Sequence, residues 1–329
     1  MICEAPIQNL ERLPSPKATD EGRDKYISTA VIGGGLLATS YYKSSQTQPS
    51  LPPAVDQTMQ HSSQSPKDPK KIFTSGFSFQ DLKLESSEVV NHDTKRLRFE
   101  LPDKDAVSGL RVSSALLTKA TPSGAWLPVL RPYTPISDPD EPGHVDLLVK
   151  RYPDGKMSNH LHSLVPGQTL SFKTGPLLTY EWTPNKHSHI ALITGGAGIT
   201  PMYQLTHAIL KNPEDKTKVT LIFGVNSDAD VLFELEFREL ERKFPDRFRA
   251  VYTVSNPTVS SRFPKGYVTR ELLKAHIPSP EEQDVKVLFC GPPTMEKAIA
   301  GSKGFMGSQG GVGGILKEMG YSSDQVFKL

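Results

Sequence analysis

Two hydrophobic rhythms divide the chain from residue 73 onward. Over 73–182 apolar and polar positions alternate, as in "VVNHDTKRLRFELP" and "HVDLLVKRY", and turns such as "DPDEPG" (138–143) separate the runs. Period-two alternation with Pro/Gly/Asp punctuation predicts antiparallel strands, and the scarcity of helical patterns predicts a small barrel. Over 187–329 the period changes. Apolar runs ("IALIT", "KVTLIFGV", "FRAVYTV", "VKVLFCG") alternate with helix-period runs ("PMYQLTHAILK", "LFELEFRELERK", "VTRELLKAHI", "TMEKAIAG"). Repeated strand–helix units whose strands are almost wholly apolar predict a parallel sheet covered on both faces. "QVFKL" at the end predicts one last strand, beside the candidate site.

Neither rhythm occurs upstream. Residues 1–25 form a charged tail, and 26–42, "YISTAVIGGGLLATSYY", hold no charge. As a helix this stretch would span roughly 25 Å, slightly less than the bilayer core. Flanking Lys25 and Lys43 and the tyrosines at its ends suit an interface. It is read as a membrane anchor, with a signal-peptide core or an unstructured apolar tract as alternatives. Residues 43–72 are largely Ser/Gln/Pro-rich, cannot bury a core, and are expected to be a flexible linker.

Composition narrows the function classes. The 329 residues carry a net charge of +2, which gives no nucleic-acid-scale field. The two cysteines, Cys3 and Cys290, cannot form a disulfide framework, and the nine histidines show no metal-ligand spacing, so no metal is expected.

The stretch "HIALITGGAGITPMYQL" (189–205) runs from strand through a glycine-rich turn into a helix. Pro201 stands where a dinucleotide fingerprint has its third glycine. Thr200 suits an N-cap and Pro201 the first helical position, so the helix is expected to start there. Gly195, Gly196, Ala197 and Gly198 would let backbone approach a phosphate at a helix N-terminus; a plain strand–helix turn is the alternative. A second stretch, "VLFCGPPTM" (287–295), ends another apolar strand in Cys290 and Gly291. Carboxyl ends of parallel strands are where such sheets bind ligands, although a buried structural cysteine is the commoner fate of this residue type.

Together with "RPYTPIS" (131–137) and "GKMS" (155–158), these ordered motifs resemble the ferredoxin–NADP reductase superfamily. Over about residues 73–329 they resemble the NADH-cytochrome b5 reductase family, and "SGLRVSSALLTKA", the anchor segment and the ending "GILKEMGYSSDQVFKL" resemble its membrane-anchored fungal mitochondrial form. The resemblance implies an antiparallel FAD-binding β-barrel (73–182) followed by a Rossmann-like NADH-binding domain (187–329) behind a single membrane helix. It implies that Arg131, Pro132, Tyr133 and Thr134 cradle FAD. Arg131 would pair the pyrophosphate, Tyr133 would lie against the isoalloxazine or ribityl chain, and Thr134 would lie near flavin N5. Gly155, Lys156, Met157 and Ser158 would present amides to the same pyrophosphate; a capped turn is the bland reading. Val149 and Lys150 would lie near the cofactors, a solvated strand lysine being equally in view for the latter.

By the same resemblance, Gly195, Gly196, Ala197, Gly198, Thr200 and Pro201 would line NADH, with Cys290, Gly291, Pro292 and Met295 as the opposite wall. Thr134, Thr200 and Cys290 would stand closest to the chemistry, with Cys290 orienting the nicotinamide rather than attacking anything. Asp230 aligns with the family's NADH-selecting acid. A carboxylate favours a 2′-hydroxyl over a 2′-phosphate, and no Lys or Arg occurs between Asp228 and Arg238. Asp230 also suits a helix N-terminus on dipole grounds. The implied reaction takes a hydride from NADH to FAD and passes single electrons to a cytochrome b5-like heme protein. The chain is expected to be monomeric at the mitochondrial outer membrane or intermembrane space. The acidic residues of the tail, unusual in a transit peptide, leave the endoplasmic reticulum open. Rival readings are a flavin reductase serving an oxygenase or quinone, and a membrane-tethered nucleotide-binding module without activity. The glycine-rich "GFMGSQGGVGG" (304–314) reads as a mobile loop.

Overall fold

The structure, a computed structural model, describes residues 68–74, 78–124, 126–175 and 180–329. The tail, the uncharged segment 26–42 and most of the linker lie outside the described residues. No described helix is long and apolar enough to cross a membrane.

The first sheet is built from β1 (Gln80–Val89), β2 (Thr94–Glu100), β3 (Leu116–Ala120), β4 (Val129–Tyr133), β5 (His144–Lys150) and, after α1 (Lys156–Ser163), β6 (Thr169–Thr174). All pairs are antiparallel, in the order β4-β3-β6-β1-β2-β5. The expected barrel is corrected in one respect. Among the described residues β4 and β5 are the ends of the ladder and do not pair, so the barrel is open along one seam. Helix α1 contacts both end strands there, and its Met157 and Leu161 enter the core with Phe99 and Phe172. Pro132 sits in β4, a strand bonded on one side only, where a missing N–H is tolerated.

The second sheet is parallel, in the order β11-β10-β7-β8-β9: β7 (His189–Gly195), β8 (Lys218–Val225), β9 (Phe248–Val254), β10 (Val285–Cys290) and β11 (Val326–Lys328). Helices α2 (Ile199–Lys211) and α3 (Glu234–Lys243) cover one face. Helices α4 (Arg270–His276), α5 (Pro293–Ile299) and α6 (Gly314–Glu318) cover the other. Strand alternation assigns side chains to the two layers. From β7, Ile190 and Leu192 join Met202, Leu205 and Phe237, while Ala191 and Ile193 join Leu273, Ile299 and Leu316.

Strand β5 joins the domains. Val145, Leu147 and Val149 point into the first core. Its other face, Asp146, Leu148 and Lys150, is the one period-two alternation gives to solvent, yet it is covered. Asp146 is fully buried between Arg96 and Arg98. Leu148 packs into the α2 side of the second core. The Lys150 side chain is 14% exposed and reaches Asp230 of the second domain.

Candidate functional site

The two glycine motifs meet through backbone packing. A short 3-10 turn, Gly196–Gly198, follows β7 and runs straight into α2, with Gly196 at φ +55°. This corrects the expected cap. Gly198, in helical geometry, is the N-cap of α2 and makes no side-chain cap bond. Thr200 is the second helical residue and its Oγ1 donates to Ala197 O at 3.2 Å, while Pro201 is the third. The 3-10 turn already begins at Gly196, behind the extended Gly195, so the residue directly before α2 is Gly198 in helical geometry rather than an extended cap. Proline still costs no bond, because first-turn amides have no helical partner. A Cβ on Gly198 would overlap the Cys290 carbonyl, and one on Gly195 would press the Met295 sulfur. Thr194 Oγ1 donates to Cys290 O at 2.8 Å. Thus the turn after β7 and the end of β10 are locked together.

A cleft of about 1170 Å³ opens between the barrel seam and these strand ends. Arg131, Pro132, Tyr133, Thr134, Lys150 and Gly155 through Ser158 line it from the first domain, and Ala197, Gly198, Thr200, Pro201 and Cys290 from the second. The other expected residues stand behind this surface or beside it. Val149 is in the barrel core, and Gly195, Gly291 and Met295 pack on one another. Gly196 lies in the 3-10 turn, Pro292 is the N-cap of α5, and Asp230 lies behind Lys150. Tyr152, Lys303, Lys328 and Leu329 also line the cleft. No motif signalled Lys303, whereas Lys328 and Leu329 belong to "QVFKL", the last strand expected beside the site. They arrive with the loop after α5 and with β11.

The electrostatics distinguish this cleft. Arg131 is exposed and donates Nη1 to Leu130 O at 2.8 Å, and neither it nor Lys156 has an acidic partner among the described residues. Gly155 caps α1 without a side-chain bond, and the first turn holds no acid. Two unpaired cations and free helix amides suit an anion such as a pyrophosphate, so the residues present fit FAD. Burial pushes the Tyr133 phenol up to about 12 and the Cys290 thiol up to about 11. Both remain neutral at physiological pH.

Asp230 differs from its expected isolation. Burial alone would raise its pKa, but bonds from Lys150 Nζ to Oδ1 (2.6 Å) and from Ser227 Oγ (2.7 Å) and N (3.0 Å) to Oδ2 hold it low. Lys150 also bonds Asp93, and its own pKa is raised: burial pulls it down, and the two carboxylates more than offset that. The Lys150 ammonium takes the place a cation would have beside His92, Asp93 and Asp230. So a lysine does reach Asp230, 80 residues away in sequence. The solvated-lysine reading of Lys150 is overturned.

The glycine-rich segment is also corrected. Lys328 is 2% exposed and its Nζ donates to the carbonyls of Gly311 (3.0 Å), Gly301 (3.2 Å) and Ser302 (3.3 Å). Gln309 bonds both N and O of the Lys328 backbone. The loop is wrapped around one buried ammonium and stitched to β11.

Comparisons with known proteins agree with this architecture. An oxidoreductase FAD-binding domain model matches residues 81–182 and an oxidoreductase NAD-binding domain model matches 192–301. The class is therefore a two-domain oxidoreductase that uses FAD and NADH. NADH-cytochrome b5 reductase 2 of Pyricularia oryzae is 56% identical over 262 residues, covering 80% of this chain and 79% of that protein. The protein of the same name from Aspergillus niger is 49% identical over 331 residues, covering 99% and 98%. The solved cytochrome b5 reductase domain of Ulva prolifera nitrate reductase superposes with TM-score 0.67 at 27% identity, covering 78% of this chain and 99% of that one. This chain belongs to the NADH-cytochrome b5 reductase family, within the ferredoxin–NADP reductase superfamily.

Proposed function

We propose that the electrons this chain takes from NADH leave FAD singly for a cytochrome b5-type heme protein, and that residues 26–42 tether the enzyme to a membrane. The carrying observation is a cleft that pairs two unmatched cations, Arg131 and Lys156, with the turn and strand ends around Gly198 and Cys290. FAD, when bound, supplies hydride acceptance and single-electron release. The chain supplies position and environment. Arg131 and the amides at the start of α1 hold the pyrophosphate. Tyr133 offers a neutral ring against the flavin, and Thr134 a hydroxyl beside it. The Thr200 hydroxyl, held by Ala197, faces the same cleft. Cys290 offers a protonated thiol as a packing surface for the nicotinamide, since no base is needed for hydride transfer.

Asp230 receives the adenosine ribose with the lone pairs that Lys150 and Ser227 leave free. The acceptor assignment is supported by the relatives' name, and the tether by the uncharged segment and its flanking lysines. The mitochondrial outer membrane or intermembrane space is the favoured location, and a monomer the favoured state.

The test is spectroscopic. The purified chain should be yellow, bleach with NADH, and recover colour on adding oxidised cytochrome b5 as the heme is reduced. Arg131→Ala should lose FAD on gel filtration. A native chain that bleaches but reduces no heme overturns the acceptor, and an Arg131→Ala protein as yellow as native overturns the pyrophosphate role.

A further inference from the structure

The segment that carries Asp230 is held in part by a turn of the other domain. The β1–β2 connection is closed by Val90 N and Asn91 N, which both donate to Thr94 O (2.9 and 3.3 Å). Within it the Asn91 side chain bonds on two sides. Its Oδ1 accepts from Asp93 N at 3.1 Å, and its Nδ2 donates to Ala229 O at 2.7 Å, 138 residues away in sequence. Turned over, the amide would set an oxygen against the Ala229 carbonyl and an NH2 group against the Asp93 N–H, so the network fixes its orientation. Asp93 O accepts from Arg151 N at 2.6 Å, which ties the turn to the end of β5.

Ala229 is the middle residue of the 3-10 turn Asp228–Asp230. Two carbonyls here are satisfied locally: Asp230 N donates to Ser227 O (3.1 Å) and Val231 N to Asp228 O (3.2 Å). The next carbonyl, Ala229 O, goes to Asn91. The Asp228 carboxylate accepts from Thr258 N at 2.7 Å. The turn is therefore pinned by its own domain at Asp228 and by the first domain at Ala229.

Placement matters because the Asp230 carboxylate has little acceptor capacity left. Of its roughly four lone-pair sites, Ser227 N and Oγ take two on Oδ2 and Lys150 takes one on Oδ1. His92 Nε2, 4.0 Å from Oδ1, is too far to bond it. One site on Oδ1 remains, on a side chain that is 11% exposed. Hydrogen bonds are directional, so a single open site serves a hydroxyl well only if the carboxylate is held still. We propose that Asn91 is a positioning residue for coenzyme selection. By holding the Ala229 carbonyl it sets the 3-10 turn, and through that turn the open site of Asp230, for the 2′-hydroxyl of NADH. This rests on the reading of Asp230 as the ribose acceptor, and it gives the first domain a part in coenzyme choice.

The experiment uses the full-length, FAD-loaded chain and steady-state ferricyanide reduction with NADH and with NADPH. Asn91→Ser keeps a hydroxyl able to close the turn on Asp93 N, but one too short to reach Ala229 O. It should raise the KM for NADH about three- to tenfold, the effect of one net hydrogen bond, with the change falling on KM rather than kcat. The KM for NADPH should stay, because a 2′-phosphate dianion has no hydroxyl proton to offer. The NADH-to-NADPH efficiency ratio then falls by the same factor, whereas a merely loosened domain would raise both KM values. In an Asp230→Ala background, Asn91→Ser should leave the ratio where it is. If Asp230→Ala lowers the ratio and Asn91→Ser does not, the proposal is overturned and Asp230 keeps its role. An equal fall in both backgrounds also overturns it, since Asn91 would then not act through Asp230. A ratio that Asp230→Ala fails to lower overturns the reading of Asp230, and the proposal with it.

Discussion

Breaking the bridge between β5 and the second domain should cost stability by an amount the structure bounds. At 2.6 Å, Lys150 and Asp230 attract by about 6 kcal/mol at an effective dielectric of 20, and by less than 2 in bulk water. Desolvation opposes this, and truncating one partner of a fully buried pair typically costs about 3–5 kcal/mol. Here the cost is smaller for two reasons. The side chains are 14% and 11% exposed, and each ion keeps another partner, Asp93 for Lys150 and Ser227 for Asp230. The coupling in a double-mutant cycle of Lys150→Met and Asp230→Asn should therefore be about 1–2 kcal/mol. For a folded region of this size that is about 2–8 °C in melting temperature. Thermal unfolding of the four FAD-loaded proteins measures it. A coupling below about 0.3 kcal/mol, the range of independent sites, refutes the bridge as a domain-joining contact. The flavin spectrum should survive in all four, because neither change removes the pyrophosphate cations.

Gly198→Ala should raise the KM for NADH and cost about 1–3 kcal/mol, since its methyl meets the Cys290 backbone and neither chain segment can yield; unchanged KM and melting temperature would sink this. Lys328→Met should free the carbonyls of Gly301, Ser302 and Gly311, and trypsin should then cut after Lys303 roughly tenfold faster or more, as loss of a charged hydrogen bond implies; native cleavage rates would show the loop is held otherwise. Asp146 and Asp230 share a pH signature. Burial raises both carboxyls, and the guanidinium bonds on Asp146 and the Lys150 and Ser227 bonds on Asp230 more than reverse it, leaving both below the ordinary 3.8. Depressed carboxylates stabilise the fold above that value and cease to do so as pH falls through the folded one. Urea midpoints should therefore hold down to about pH 5 and fall below pH 4. The fall should be shallower in Asp146→Asn and Asp230→Asn, and identical slopes would disprove the assignment.

Local sequence determined the elements. Alternation in "TKRLRFE" and continuous apolarity in "IALIT" each suffice, because strand side chains point to opposite faces and parallel strands are buried on both. Gly198 and Cys290 were readable as a turn glycine and a strand end, because such positions are sequence-local; Arg131 and Gly155–Ser158 came from the family resemblance, and the structure brings all of them to one cleft. The Thr200 cap was misread for a local reason: composition does not reveal that a 3-10 turn already begins at Gly196. Tertiary structure alone decided the rest. The outward face of β5 reads as solvent-exposed until a second domain covers it. Asp230 reads as free of cations until Lys150 arrives from another sheet. The loop at 301–314 reads as mobile because Lys328 and the β11 backbone, to which its carbonyls and Gln309 bond, lie beyond it in the chain. Charge pairing and burial depend on distances between segments remote in sequence, and no periodicity encodes those.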